Sequence, residues 1–274
     1  MLPLRHLAAS ARLILAAAVL FTSFVIYPAY HSGAHAADEP TVLITGSNRG
    51  LGFGFARQYA LKGWNVIATA RNPDTATELQ ELAAEYPNVS VERLDVTNEE
   101  DISALARKYE GKPIDVLLNN AAILGEVDDR TVTDLDFDEL AQVLDVNTVG
   151  VLRVAAAFVD NVEMSDQKRI FAVTTGLGSM TTTGQMKGFY YYRISKAALN
   201  MAMVALNADV KDRGIVAGLI SPGMVDTGML EASGYQGPSL TPDESAAALI
   251  AIIDGYEADM TKTIYNYDGK VIPW

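Results

Sequence analysis

From Pro40 onward the chain alternates short, nearly unbroken apolar runs with longer stretches of helical periodicity, and few folds accommodate that alternation. The strand-like runs are Thr41-Val42-Leu43-Ile44, Asn65-Val66-Ile67-Ala68, Val89-Ser90-Val91, Val116-Leu117-Leu118, Ile170-Phe171-Ala172-Val173 and the run from Ile215 to Ile220. A strand that is apolar on both faces must be covered on both, which points to a parallel sheet between two helical layers. Helical segments at Phe53 to Leu61, Asp101 to Tyr109, Asp138 to Val159 and Ser195 to Asp212 supply the crossovers, giving a doubly wound α/β layout. A last helix is predicted to start with Thr241 as N-cap, Pro242 at the first position and Glu244 reaching back, and to run through Ile253. Gly228 to Leu240 carries few strand or helix signals and reads as a mobile loop.

Composition removes several chemistries. The 274 residues include no cysteine, which excludes thiol nucleophiles, disulfides and thiolate metal sites. All three histidines, His6, His31 and His35, precede the alternating region, so no histidine-dependent triad is expected within it and no metal site is assigned. Residues 1–37 hold Arg5 and Arg12 and no acid, so residues 38–274 carry 19 basic and 34 acidic side chains, a net charge of −15. Such a surface repels phosphate backbones, and nucleic-acid binding is not expected.

The first 37 residues read as a signal peptide or membrane anchor. Arg5 and Arg12 precede an apolar run from Leu13 to Tyr30, interrupted by Thr22, Ser23 and Pro28, and Ala34-His35-Ala36 follows before Asp38-Glu39. Membrane association through residues 13–30, or export, is the expectation, with residues 38–274 as one catalytic domain on the far side; a cytoplasmic placement stays open, as does a mis-set start or weakly attached tail.

Directly after the first strand comes Thr45-Gly46-Ser47-Asn48-Arg49-Gly50-Leu51-Gly52, which opens a helix. Glycines there permit a tight turn and let backbone N–H groups approach a pyrophosphate at the positive helix end, as in Rossmann-type nucleotide folds. The second strand ends Ala68-Thr69-Ala70-Arg71-Asn72, with no acid to bind a ribose 2′-hydroxyl. Arg71, with Arg49, is placed to read a 2′-phosphate, which favours NADP over NAD. Further on, Tyr192 and Lys196 stand one helical turn apart, on one face, where an ammonium is expected to favour the phenolate and make tyrosine a usable general acid or base. Tyr190 and Tyr191 lack such a partner.

At this point the chain resembles the short-chain dehydrogenase/reductase family, from Thr41 to Trp274. The glycine motif matches Thr45, Gly46, Gly50 and Gly52, and the Tyr-x-x-x-Lys motif matches Tyr192 and Lys196. Asp95-Val96 looks like the family's adenine-contacting pair, Asn119-Asn120-Ala121-Ala122 like its Asn-Asn-Ala-Gly motif, and Asn147 like its helix asparagine. The segment Ser221 to Thr227 resembles its nicotinamide segment, which adds Pro222, Gly223, Val225 and Thr227 to the cofactor-binding residues. The subgroup is similar to the C-factor and carbonyl-reductase branch. The resemblance implies hydride transfer between a nicotinamide cofactor and a ketone or aldehyde, with Tyr192 protonating the carbonyl oxygen, Lys196 holding the ribose and Asn147 helping to hold a relay water. It also implies a small-molecule carbonyl or alcohol substrate and a homo-oligomer.

Two departures stand out. The family's strand-end serine is replaced in Val173-Thr174-Thr175-Gly176-Leu177-Gly178-Ser179. Thr175 is favoured as the catalytic hydroxyl, because Thr181 to Gly188 looks like an insertion that displaces Ser179. Ala122 stands where glycine is usual and would be strained if that position needed positive φ. Met224, Met229, Leu230 and Tyr235 either line an apolar pocket or pack on the sheet. The alternative function is a catalytically weak, nucleotide-binding regulator or signalling protein that kept the fold.

Overall fold

Each apolar run forms a strand because its β-branched residues are buried on both sides of one sheet. The computed structural model describes residues 39–127, 131–183 and 187–274, so the leader reading of residues 1–37 lies outside the described residues. In chain order the elements are β1 (Thr41–Ile44), α1 (Gly50–Leu61), β2 (Asn65–Ala70), α2 (Thr77–Glu85), β3 (Val89–Arg93), α3 (Glu99–Lys108), β4 (Val116–Asn119) and α4 (Phe137–Leu144). There follow α5 (Gly150–Glu163), β5 (Arg169–Val173), α6 (Met180–Thr183), α7 (Tyr190–Val210), β6 (Val216–Ser221), α8 (Gly228–Ala232), α9 (Pro242–Asp254), β7 (Ile264–Asn266) and β8 (Val271–Ile272). A π-helical turn, Asp145–Val149, joins α4 to α5.

The strands form one sheet in the order β3-β2-β1-β4-β5-β6-β7-β8, parallel except for β8, which pairs antiparallel with β7. Leu43 pairs with Ile67 on one side and Leu117 on the other. Alternate residues of the strands feed two cores. Val42, Ile44 and Leu118 pack under α1, α2 and α9. Leu43, Leu117 and Ile170 pack under α3, α5 and α7. This is the expected Rossmann-type, doubly wound sheet with helices on both faces. The chain enters β1 at the N-terminal edge of the sheet, where the main-chain carbonyls of Glu39 and Pro40 accept bonds from Asn65.

Several expected boundaries move. α1 begins at Gly50 rather than Phe53, because the glycines of the loop are already its first turn. The expected loop from Gly228 contains α8, whose first turn is closed by the Thr227 hydroxyl accepting from Leu230 N. The apparent insertion after Ser179 contains α6, and residues 184–186 lie outside the described residues. Phe137–Glu163 is helical for 27 residues and apolar enough to span a membrane, but Val151, Val154 and Phe158 bury it against the sheet as a core helix.

Candidate active site

Parallel topology brings the ends of β1, β2, β4, β5 and β6 to one edge, where the chain turns into its functional loops. The glycine loop after β1 is held from within. Thr45 Oγ1 accepts from the main-chain N–H groups of Asn120 and Ala121, each at 3.0 Å, and Asn120 Nδ2 donates to the carbonyls of Thr45 and Gly46. Ser47 N donates to Thr69 O at 2.7 Å, which ties the loop to β2. Gly46 and Gly50 have φ of +68° and +56°. A Cβ on Gly52 would overlap the Gly46 carbonyl oxygen and come within 2.5 Å of Asn120 Nδ2, so only glycine fits there.

The helix that follows begins without a cap. Asn98, Asp136 and Thr241 side chains cap α3, α4 and α9, whereas Arg49 offers α1 no side-chain bond and the first turn carries no acid. A helix start without a side-chain cap, behind a glycine-rich turn, suits the pyrophosphate of a dinucleotide. Asn48 and Arg49 are exposed in the loop, and Leu51 packs partly buried below it. Arg71 follows the end of β2. Among the described residues neither Arg49 nor Arg71 has a side-chain partner, which leaves two cations open on this edge.

The neighbouring turns complete the cradle. Asp95 Oδ1 accepts from Thr97 N and Thr97 Oγ1, fixing the turn after β3. Val96 packs against Gly150, where a Cβ would come within 2.8 Å of Val96 Cγ2. Asn119 Nδ2 donates to Phe171 O, and its Oδ1 is buried without a protein partner. Ala122 does not take positive φ, so the alanine is unstrained. Past β6, Ser245 Oγ donates to Pro222 O, Gly223 takes φ of +72°, Val225 is buried, and Thr227 Cγ2 lies 3.1 Å from a Cβ placed on Gly50. The segment after β6 thereby closes on the glycine loop.

On the other side of this edge, α7 carries Tyr192 and Lys196 on one face, with Lys196 Nζ 5.7 Å from the Tyr192 ring centroid. Lys196 is 2% exposed, and its ammonium donates to Val173 O at 2.8 Å, at the end of β5. Burial pushes Lys196 down to about 7 and Tyr192 up to about 12. Here the structure departs from the sequence expectation of a lowered tyrosine pKa: in the protein alone, burial raises it.

Thr175 stands two residues past the end of β5, and its partly buried hydroxyl accepts from Leu177 N at 3.3 Å, leaving its proton free to donate. Ser179 is 1% exposed, and its hydroxyl donates to Pro273 O near the end of the chain. Of the two hydroxyls, Thr175 is the one with a proton to spare. Asn147, in the π-helical turn, is fully enclosed: Oδ1 accepts from Ile123 N, and Nδ2 donates to Ile123 O and Ser195 Oγ. The side chain thus fixes the turn by bonding Ile123 and Ser195. Met229 and Leu230 lie partly buried on α8, whereas Met224 and Tyr235 are exposed.

Sequence reasoning missed Tyr191, Ser195 and Asn200. Thr174 Oγ1 donates to Asn200 Oδ1, and Asn200 Nδ2 donates to Gly178 O, pinning the turn after β5 to α7. The signal was present in their helical spacing around Lys196, on the face of α7 turned to the sheet.

A glycine loop that opens a helix and a buried tyrosine–lysine pair thus lie at the same edge of the sheet. Residues 40–236 match the short chain dehydrogenase family, and the chain belongs to it. It is 33% identical to the C-signal protein of Myxococcus xanthus over 162 residues, 59% of this chain and 93% of that one. It is 30% identical to the 1-hydroxy-2-glutathionyl-2-methyl-3-butene dehydrogenase of a Rhodococcus strain over 85% of this chain and 99% of that one. Among solved structures, NADPH-bound carbonyl reductase from chicken fatty liver superposes with a TM-score of 0.78 at 28% identity, covering 86% of this chain and 99% of that one.

Proposed function

We propose that the chain is an NADPH-dependent reductase that interconverts a ketone or aldehyde with its alcohol, Tyr192 being the general acid and base. The observation that carries this reading is the buried Lys196 beside Tyr192, bonded to Val173 O, two residues before the Thr175 hydroxyl that is free to donate. The bound nicotinamide supplies the hydride. Thr175 and Tyr192 orient the carbonyl oxygen by donating to it, and the Tyr192 phenol gives up its proton to that oxygen as charge builds there. Burial raises the Tyr192 pKa in the protein alone, so the phenol is protonated and able to donate at neutral pH. Lys196 is held by Val173 O beside the Tyr192 ring, and in its protonated form its charge stabilises the phenolate once the proton has left. Arg49 and Arg71 support NADPH over NADH, as does the NADPH carried by the chicken reductase.

The test is a titration of the purified protein with NADPH and NADH, followed by turnover on a panel of ketones and aldehydes. Tyr192→Phe is expected to remove at least about a hundredfold in kcat, the contribution of a positioned proton donor, while cofactor binding stays within about twofold. Equal activity in the variant sinks the mechanism. The likeness to the C-signal protein favours one second reading, a nucleotide-binding signalling protein. Cofactor binding without turnover on any carbonyl would select it.

A further inference from the structure

Tyr191 adjoins the proposed general acid, is 1% exposed, and has no part in the chemistry above. Its hydroxyl accepts from Asp136 N at 2.6 Å, at the N-cap of α4. Its ring also faces Gly125, where a Cβ would stand 3.6 Å from Tyr191 Cδ2 and 2.9 Å from Val143 Cγ2. Gly125 takes φ of +71°, so the backbone there turns tightly under the tyrosine ring. A few residues earlier in the chain, Ile123 is held at both its N–H and its carbonyl by the Asn147 amide, which in turn donates to Ser195 Oγ. Glu126 N donates to the Glu139 carboxylate on α4.

The segment after β4 is thus tied to α7 through one turn of that helix, by Tyr191 at one end and by Ser195, through Asn147, at the other. Tyr192 lies between the two ties. The backbone run after Ala121 is therefore fastened, directly or through Asn147, to the α7 residues on either side of Tyr192 in the chain.

We propose that Tyr191 is a positioning residue for substrate recognition: its hydroxyl and ring set how closely the Ile123–Glu126 backbone stands to the reacting end of Tyr192. The proposal rests on the carbonyl-reductase reading of the same site. Tyr191 touches neither cofactor nor the reacting atoms, so its loss should act on substrate affinity and spare proton transfer. The ring is retained in Tyr191→Phe, which keeps the core filled while removing the acceptor for Asp136 N.

The experiment compares the full chain with Tyr191→Phe and, from the opposite side of the contact, Gly125→Ala. Three readouts are taken: KM and kcat across carbonyls of increasing size, NADPH affinity by fluorescence, and hydrogen exchange. The expected result is a KM raised about three- to tenfold, as for one lost hydrogen bond, most for the larger carbonyls. kcat and NADPH affinity should stay within about twofold. Exchange should quicken at the amides of Asp136 and Glu126 and hold steady in the strands and in α7. Unchanged KM with unchanged exchange overturns the proposal. So does a joint fall of kcat, cofactor affinity and melting temperature, which marks a purely structural role. If the unaltered protein turns over no carbonyl, the function reading fails separately, and the exchange comparison still decides whether Tyr191 holds this backbone run.

Discussion

Lys196 shows how much a single side chain depends on its surroundings. The sequence places it one turn from Tyr192, and the structure bears out the shared face. What the spacing could not convey is burial, which comes from β5 and the turn after it, brought there from a distance in the chain by the sheet. The lysine pKa falls from 10.5 to about 7, so between those values the unfolded chain binds the proton more tightly than the folded one. Stability contributed at this position therefore rises with pH across that window, and it is lowest below it, where the buried group is charged. Above pH 10 Tyr192 acts in the opposite sense, since its pKa is raised and the unfolded chain loses the proton first. The difference in urea stability between the unaltered chain and Lys196→Met, measured at about pH 6, 8 and 10, is expected to move in favour of the lysine as pH rises. A flat difference contradicts the buried, neutralised amine. Ser179 carries the same lesson in reverse: its distance from Tyr192 resembled a catalytic one, and its hydroxyl is occupied by Pro273.

Among the elements, α9 was read almost to the residue. Thr241 Oγ1 accepts from Glu244 N, Glu244 Oε2 accepts from Thr241 N, and Pro242 opens the helix. Such a cap is a local device, complete within four residues, which is why sequence alone discloses it. Thr241→Ala is expected to cost about 1 kcal/mol in a urea titration, with KM for NADPH unchanged. A drop in cofactor affinity instead would mean that the α1 and α9 packing transmits the cap to the glycine loop. That packing is close: a Cβ on Gly54 of α1 would approach the Pro242 carbonyl oxygen to 2.6 Å. The start of α1 was misread because glycine has weak helix propensity, yet here the loop and the helix share Gly50 and Gly52. β7 and β8 went unread because three and two residues are too short to show a pattern, and they exist only by pairing with β6 and with each other.

For the whole molecule, the order of strands was legible in kind, since runs apolar on both faces have to lie inside a parallel sheet. The glycine loop was legible as well, because Gly46, Gly50 and Gly52 fall within one short stretch between a strand and a helix. The supports of α7 were not, because Asp136, Val173 and, through Asn147, Ile123 reach that helix only in the folded chain. Ligand binding to the folded chain alone raises its stability by mass action, about 2.7 kcal/mol when the ligand is at a hundred times its Kd. NADPH is therefore expected to raise the melting temperature more than NADH at equal concentration, and Arg71→Ala to bring the two together. Equal shifts in the unaltered protein would remove the 2′-phosphate reading.

The chain enters β1 from Glu39 and Pro40 at one edge of the sheet, and the cradle and Tyr192 occupy the other. The strands between are four to six residues long in the centre of the sheet, roughly 13–20 Å at ~3.3 Å per residue. A bead, electrode or fusion partner grafted just ahead of Glu39 is consequently attached one strand length away from the glycine loop and Tyr192.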